Sequence, residues 1–150
     1  MICIEDLKSF IDDVDVVSFD VFDTLLLRHH YHPTDLFSEI SLFSLPVAPR
    51  FQRIAGEYLS RLKNRHEEDV SLQQIYSLLP GSGKSEIAAE LRSVCPNQDV
   101  TPILAYAVSQ GKRVIAVSDM YLPRETILSL LQAAGINICV NNIFVSCEFG

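Results

Sequence analysis

Residues 16–28, VVSFDVFDTLLLR, decide the fold of this chain. The stretch begins with an apolar, β-branched run that is typical of a strand buried in a sheet. Two carboxylates, Asp20 and Asp23, follow where that run ends. Burying an unpaired carboxylate is costly unless a partner or a metal ion stabilises its charge. The two acids therefore indicate a candidate functional site at the end of a strand.

The composition indicates a globular domain. The chain has 150 residues, 48% of them hydrophobic, which is enough for one domain or a domain with an insertion. The formal net charge is −7 and the basic residues are scattered, so we expect no nucleic-acid partner. We also expect no membrane partner, because no apolar run approaches the roughly 20 residues that span a bilayer. The spacing of the 4 cysteines predicts free thiols and a reducing, cytoplasmic location.

Turn and capping residues divide the chain into alternating helices and strands. We expect strands at residues 14–19, 113–118 and 143–146, and helices at residues 4–12, 34–44, 49–68, 71–79, 85–94, 101–111 and 123–135. Strands separated by helices predict a parallel α/β sheet, whose first crossover here contains about 80 inserted residues, mostly helical.

Asp20 and Ser118 both lie at the carboxyl ends of predicted strands. In open parallel sheets, ligands collect at those ends. A carboxylate there can attack a phosphate whose oxygen a neighbouring hydroxyl binds, and a divalent cation would keep the carboxylate ionised. Taken singly, either residue is also ordinary turn chemistry after a strand. Their joint placement predicts a phosphate site.

Two motifs resemble those of the haloacid dehalogenase-like hydrolases. The stretch VVSFDVFDTLLLR is similar to the first motif of that superfamily, and RVIAVSDMYLP, residues 113–123, is similar to the second, a strand that ends in Ser or Thr. The resemblance implies a Rossmann-like core formed by residues 1–27 and 106–150, with residues 28–105 inserted as a helical cap. The expected fold class is therefore α/β: an incomplete Rossmann-like parallel sheet of about three strands with an inserted cap domain.

Carried onto this chain, the resemblance assigns roles to single residues. Asp20 would be the nucleophile and a Mg²⁺ ligand, and the main-chain carbonyl of Phe22 would be a second ligand. Ser118 would bind the transferring phosphoryl group. Asp119 and Arg28 complete the candidate substrate-binding set, the Arg through its guanidinium, although a surface ion pair is the alternative for Arg28.

The chain departs from the superfamily pattern in two ways. Phosphatases of the superfamily have a second Asp two positions after the nucleophile, where it protonates the leaving group; here Phe22 stands there and Asp23 follows. The sequence D-V-F-D-T is nearer the dehalogenase pattern D-x-F-G-T, so Asp23 can be the acid only if the turn directs it toward Asp20, and is otherwise a cap or hydrogen-bond acceptor. The later Lys and acidic motifs have no counterpart, so we expect either a fragment or a short form of weak or lost activity.

These observations lead to three hypotheses. The first is a Mg²⁺-dependent phosphatase that acts on a small phosphorylated metabolite through an aspartyl-phosphate. The second is a catalytically impaired or non-catalytic fragment that acts as an interaction module, and the third is a 2-haloacid dehalogenase. In the superfamily the first strand has neighbours on both sides, so the missing one predicts an open apolar edge and a homodimer joined there.

Three other stretches carry structural predictions. The sequence LLPGSGKSE, residues 78–86, predicts a turn between helices and not a phosphate loop, because the preceding spacing is helical. The acidic run at residues 66–69 is expected to be solvated. Apolar residues at helical spacing predict the core of the cap, namely Phe37, Phe43, Phe51, Tyr58 and Leu62.

Overall fold

A computed structural model describes residues 4–40 and 47–149, and it confirms the α/β class. The strands are β1 Val16–Asp20, β2 Leu26–Arg28, β3 Val94–Pro96, β4 Arg113–Ser118 and β5 Ile143–Val145. The helices are α1 Ile4–Asp12, α2 Pro49–Lys63, α3 Leu72–Tyr76, α4 Lys84–Ser93, α5 Thr101–Ser109 and α6 Arg124–Ala133. Short 3₁₀ helices cover Pro33–Ser38, Val140–Asn142 and Ser146–Glu148.

The main sheet has three parallel strands in the order β1-β4-β5, which is consistent with an incomplete Rossmann-like fold. In the register of β1 and β4, Asp20 lies opposite Val117. The carboxyl ends of both strands therefore lie at the same edge of the sheet, as the sequence predicts.

The crossover helices of the sheet pack with conventional apolar contacts. Helix α5 packs on β4 and α6 packs on β5. Both crossovers advance in the same direction across the sheet, so right-handed connections put both helices on one face. The strand residues of that face, such as Phe19 and Ala116, are buried, whereas Ser18 and Val117 on the other face are exposed.

A second, two-stranded antiparallel sheet closes the base of the inserted tract. It pairs β2 with β3, placing Arg28 opposite Val94. The sequence predicts neither strand, since each has three residues and its partner is distant in the chain. The predicted boundary between residues 105 and 106 falls inside α5, which packs on the main sheet.

Within the inserted tract, α3 begins where the sequence predicts it, and α4 begins one residue earlier than predicted. Ser71 caps α3 in a reciprocal hydrogen-bond pair with Gln74. Gly83 adopts φ of +73° at the start of α4, so the glycine-rich stretch is a turn between helices, as expected. The acidic run was expected to be solvated, but this is wrong for Asp69, which is buried and accepts a hydrogen bond from Ser146 Oγ at 2.8 Å.

Helices α2 and α4 have an unusual polarity, because their buried faces are polar. The buried residues of α2 are Gln52, Arg53, Gly56 and Ser60, and those of α4 are Glu86, Ala89, Glu90 and Ser93. The prediction that Phe51, Tyr58 and Leu62 form the cap core is wrong, because all three are exposed. Phe37 is buried as expected, and Phe43 lies outside the described residues.

The cysteines that the structure describes agree with the prediction of free thiols, whereas several helices are shorter than predicted. The helix predicted at residues 34–44 is a 3₁₀ helix that ends at Ser38, and those predicted at 49–68 and 71–79 end at Lys63 and Tyr76. Cys95, Cys139 and Cys147 are free thiols, and Cys3 lies outside the described residues. Burial raises the pKa of the Cys147 thiol to about 11. Within residues 4–40 and 47–149, no helix is both long and apolar enough to cross a membrane.

Candidate active site

A tight turn follows β1 and leads directly into β2. The main-chain N–H groups of Leu25 and Leu26 donate to the carbonyl oxygen of Val21 at 2.9 and 2.8 Å, and the N–H of Asp23 donates to the carbonyl oxygen of Leu26 at 2.8 Å. Asp23 has φ of +57°. This left-handed conformation costs most L-residues about 1–2 kcal/mol, but Gly, Asn and Asp adopt it most readily. The turn geometry therefore explains how Asp can replace the Gly of the dehalogenase pattern.

Asp20 is the last residue of β1, and its side chain is exposed at the end of the strand. Its Oδ2 accepts a hydrogen bond from Thr24 Oγ1 at 3.0 Å. Among the described residues this is the one hydrogen bond found for the carboxylate, so Oδ1 remains available to a ligand.

A cavity of about 300 Å³ opens at this edge of the sheet. Residues from three parts of the chain line it: the turn after β1, the inserted tract and the segment after β4. The lining residues are Asp20, Phe22, Asp23, Arg28, Pro33, Thr34, Phe37, Glu57, Glu90, Asp119, Met120 and Tyr121. The fold thus brings Asp20, Phe22, Asp23, Arg28 and Asp119 to one cavity.

The cavity wall is acidic, with five carboxylates and one guanidinium. Glu57 accepts hydrogen bonds from Arg53 at 3.0 Å and from Arg61 at 3.1 Å, so its charge is compensated. For Asp23 and Asp119, the described part of the chain contains no side-chain hydrogen bond or ion pair. These two acids are therefore the carboxylates of the cavity whose charge no neighbouring side chain offsets.

Arg28 is held in place by contacts on three sides. Its Nε donates to Glu90 Oε2 at 3.4 Å, its guanidinium lies 3.9 Å from the centre of the Phe22 ring, and its second terminal nitrogen is 3.9 Å from Met120 Sδ. The ion pair that was one expected use of Arg28 is therefore present, but its surface location is wrong, because Arg28 and Glu90 are both nearly buried. A guanidinium has five N–H donors, which leaves several for a ligand in the cavity.

Burial raises the pKa of Glu90 above its usual value, although the neighbouring Arg28 charge opposes the shift. The main cause is desolvation, because the charged carboxylate loses its water. Glu90 is thus the acid of the cavity whose environment most clearly favours a proton.

A buried polar network supports the cavity wall from behind. Arg53 donates to both oxygens of Glu86, at 2.7 and 2.9 Å, and Tyr76 donates its hydroxyl to Glu86 at 2.8 Å. The Arg53 guanidinium lies between the rings of Phe37 and Tyr121, 4.6 and 4.5 Å from their centres. Burial and the Glu86 charge raise the pKa of Tyr121 well above its usual value, so its phenol stays neutral. The network fixes two rings that line the cavity.

The inserted tract is also attached to the loops that follow the sheet strands. The main-chain N–H of Leu72 donates to the carbonyl oxygen of Tyr121 at 2.7 Å, and Ser146 donates to Asp69. These two bonds hold the tract over the carboxyl edge of the sheet.

Ser118 occupies a different position from the other predicted residues. It lies one residue beyond the position opposite Asp20, so its side chain shares the buried face of Phe19 and Ala116. It does not line the cavity, although Asp119 does. Its Oγ is buried without a hydrogen-bond partner, whereas buried hydroxyls almost always have one.

The oxygen donors fit a partial magnesium site. Among the described residues, no group of three or more His, Cys, Asp and Glu side chains is arranged to hold a metal ion. Mg²⁺ is commonly bound by one or two carboxylates together with substrate phosphate oxygens and water, and does not need a complete protein cage. The Asp20 carboxylate and the Phe22 carbonyl are the groups that would hold it.

Sequence reasoning misses the residues that the inserted tract contributes, namely Glu57, Glu90 and the supporting pair Arg53 and Glu86. The spacing of Glu86 and Glu90 puts both on one helix face, but Ile87 and Leu91 have the same spacing, so the pattern alone favours the apolar face as the buried one.

Comparisons with known proteins add no family to these observations. No family model matches the chain, and no curated protein matches it either. Any proposal about function therefore rests on the two motifs and on the geometry of the cavity.

Proposed function

We propose that this chain is a haloacid dehalogenase-like hydrolase: a Mg²⁺-dependent phosphatase that acts on a small phosphorylated metabolite. The observation that carries the proposal is the shared cavity of Asp20, Asp23, Arg28 and Asp119 at the carboxyl end of β1.

In this proposal Asp20 is the nucleophile. Its free carboxylate oxygen attacks phosphorus, an aspartyl O–P bond forms, and the bond from phosphorus to the leaving oxygen breaks. Water then attacks phosphorus, which releases inorganic phosphate and restores the carboxylate. Arg28 donates to phosphate oxygens with its remaining N–H groups. The Asp20 carboxylate and the Phe22 carbonyl would hold Mg²⁺, whose positive charge would offset the charge of the phosphate.

Asp23 is the proton donor to the leaving oxygen. The left-handed backbone at this residue supports the assignment, because Asp23 lines the same cavity as Asp20 despite the one-residue offset. A cavity of about 300 Å³ is at the small end of ligand pockets, which favours a small metabolite. The free thiols support a reducing, cytoplasmic location.

Asp20→Asn tests the proposal. Wild type is expected to hydrolyse an aryl phosphate in the presence of Mg²⁺, and the variant is expected to lose about three orders of magnitude in rate or more, because the amide is not a nucleophile. Asp99→Asn, at an exposed position far along the chain from the site residues, is the control and should keep the wild-type rate. Circular dichroism checks that each variant is folded.

Equal rates for wild type and Asp20→Asn would overturn the proposal. Crystals soaked with Mg²⁺ and beryllium fluoride give an independent result: density on the Asp20 carboxylate favours the enzyme, and its absence favours a non-catalytic fragment. Chloride release from a 2-haloacid without Mg²⁺ would favour the dehalogenase instead.

A non-catalytic interaction module is the second candidate, and the open edge of the sheet favours it. Strand β1 is the end strand of the sheet, and Val14 and Val16 are 42% and 46% exposed there. Such an edge can pair with a strand of a second copy to give a homodimer. Val16→Lys should dissociate this dimer in light scattering, and a wild-type monomer would exclude it.

A further inference from the structure

The outward side of α2 is apolar, although α2 lies on the surface. We call Phe51, Ile54, Ala55, Tyr58, Leu59 and Leu62 the outer face of α2. All six residues are exposed, and Phe51, Tyr58 and Leu59 keep 65%, 63% and 52% of their surface. Nothing in the proposed catalytic chemistry uses this face. Contiguous apolar patches on a protein surface commonly mark interaction sites.

The spacing of the outer face is that of a helix-packing seam. Phe51, Ala55, Tyr58 and Leu62 follow one another at intervals of four, three and four residues. This alternation keeps one stripe of a helix against a neighbouring helix. The face is therefore shaped for another helix.

The outer face of α2 is bordered by a groove on one of its flanks. An apolar groove of about 420 Å³ lies between α2 and residues 78–79, with Phe51, Gln52, Ala55, Gly56 and Leu59 on its α2 side. Gly56 lets the Leu79 side chain pack directly on α2, since a Cβ there would lie 2.7 Å from that side chain. Tyr58 projects beside the groove and does not line it.

We propose that the outer face of α2 packs against the same face of a second copy of this chain, with the two helices antiparallel and crossing at Ala55. An antiparallel two-fold brings the same flank of each helix together, so the two grooves meet on one flank of the interface and the two Tyr58 side chains lie on the other. Along the seam, Phe51 of one copy lies at the level of Leu59 of the second copy. The small side chain of Ala55 lets the helix axes approach to the 8–10 Å typical of packed helices. A two-fold interface of this kind uses one patch twice and closes on itself.

The available area is suited to a dimer. Taking about 200 Å² for a large apolar side chain, the five large residues of the outer face expose roughly 500 Å². A standard interface buries about 800 Å² on each partner, of which a little over half is non-polar, so the apolar area of the outer face is sufficient. Val47 and Leu78 at the groove margin, both exposed, add to it.

The charges next to the outer face do not oppose self-association. Arg50 pairs with Asp35 at 2.8 Å, and Arg61 pairs with Asp69 at 2.9 Å and with Glu57. Both guanidiniums are thus neutralised within their own chain, so two copies can bring their helices together without facing unpaired basic groups.

Sedimentation velocity across micromolar concentrations tests the proposal on the full chain. Wild type is expected to dimerise. Tyr58→Ala, which removes a large exposed aromatic side chain near the centre of the interface, should raise the dissociation constant at least about tenfold. Leu59→Lys is a second disrupting variant, and circular dichroism and urea unfolding check that both are folded. Val16→Lys at the β1 edge is the matched control and should leave the dimer unchanged.

Cysteine cross-linking tests the antiparallel geometry. Under mild oxidation, Ala55→Cys should form an intermolecular disulfide, because the two copies meet at this residue. Lys63→Cys should not, since at 1.5 Å per residue the two positions lie about 24 Å apart along the helix axes. Oxidised wild type gives the background from the native cysteines.

A monomer at all concentrations would overturn the proposal. So would a dimer that Val16→Lys dissociates and Tyr58→Ala does not, which would assign the contact to the β1 edge. Equal cross-linking at residues 55 and 63 would exclude the antiparallel arrangement. Each outcome is independent of phosphatase activity.

Discussion

Helices α2 and α4 of the inserted tract bury the opposite kind of residue from the helices that pack on the sheet. In α6, which packs on the main sheet, Ile127, Leu130 and Leu131 are fully buried. In α2 and α4 the buried side instead carries Arg53 and Glu86, also fully buried. Apolar burial contributes roughly 25 cal/mol per Å², whereas a buried ion pair adds little net stability, because both ions lose their water.

The two groups of helices contribute to the candidate site in different ways. The sheet and its crossover helices stabilise the edge at which Asp20 lies, and the inserted helices bring charged and aromatic groups to the cavity above it. Because the inner side of α2 is polar, its apolar residues face outward and form the outer face. The polar inner side of α2 thus contributes to the cavity wall, and its apolar outer side forms the proposed dimer surface.

The largest expected effect on stability comes from disrupting the buried ion pair of Arg53 and Glu86. Arg53→Met leaves Glu86 buried without its cation and should lower the free energy of unfolding by about 3–5 kcal/mol. Arg53→Met combined with Glu86→Leu should recover most of the loss, because both charges are then removed. Urea unfolding measures both. Arg65→Met, at an exposed position, is the control and should change stability by less than about 0.5 kcal/mol. A loss for Arg53→Met no larger than that of the control would contradict a structural role for the network.

A smaller effect is expected in the pH dependence of stability. A carboxyl group whose pKa is higher in the folded chain stabilises the fold most below its unfolded pKa, and this contribution is lost as pH rises through the folded value. Burial raises the pKa of Glu90 above 4.5, so the loss begins near that pH and continues upward. Glu90→Gln cannot lose a proton. It should therefore become more stable relative to wild type as pH rises through this range.

Urea unfolding at a series of pH values measures the Glu90 effect. The charges that act on Glu90 are Arg28, Glu86 and His30, and the variant leaves all three in place. Glu68→Gln, at an exposed position, is the matched control. If both variants follow the wild-type profile in parallel, the raised pKa of Glu90 is disproved.

The smallest expected effect is at the left-handed residue of the turn. Asp23→Gly should leave the free energy of unfolding unchanged or raise it by up to about 1 kcal/mol, because Gly adopts positive φ freely; Asp23→Ala should lower it by about 1 kcal/mol. Thermal and urea unfolding measure the stability of both variants.

The same Asp23→Gly variant also tests the proposed role of Asp23 as proton donor. Without the donor, hydrolysis of an alkyl phosphate should slow more than hydrolysis of an aryl phosphate, because the aryl leaving group needs no proton. Equal losses on both substrates would exclude that role.

Local signals explain what could be predicted from the sequence. The apolar run of β4 and the glycine that follows α6 give those elements within about two residues. Asp20 and Asp119 follow strands, and parallel strands end at one edge, so their meeting is foreseeable. The pairing of β2 with β3 could not be predicted in this way. Three-residue strands show no periodicity of their own, and these two pair only because the chain after the inserted tract passes beside the strand that precedes it.

The sequence alone determined the α/β class and the position of the acids at the strand ends, because these depend on residues close together in the chain. Tertiary structure decided which side of α2 and α4 is buried, and so which residues complete the cavity. Helical periodicity identifies an apolar stripe but not its partner. Here Arg53 and Glu86 stabilise each other inside, and the apolar stripe of α2 is left on the surface.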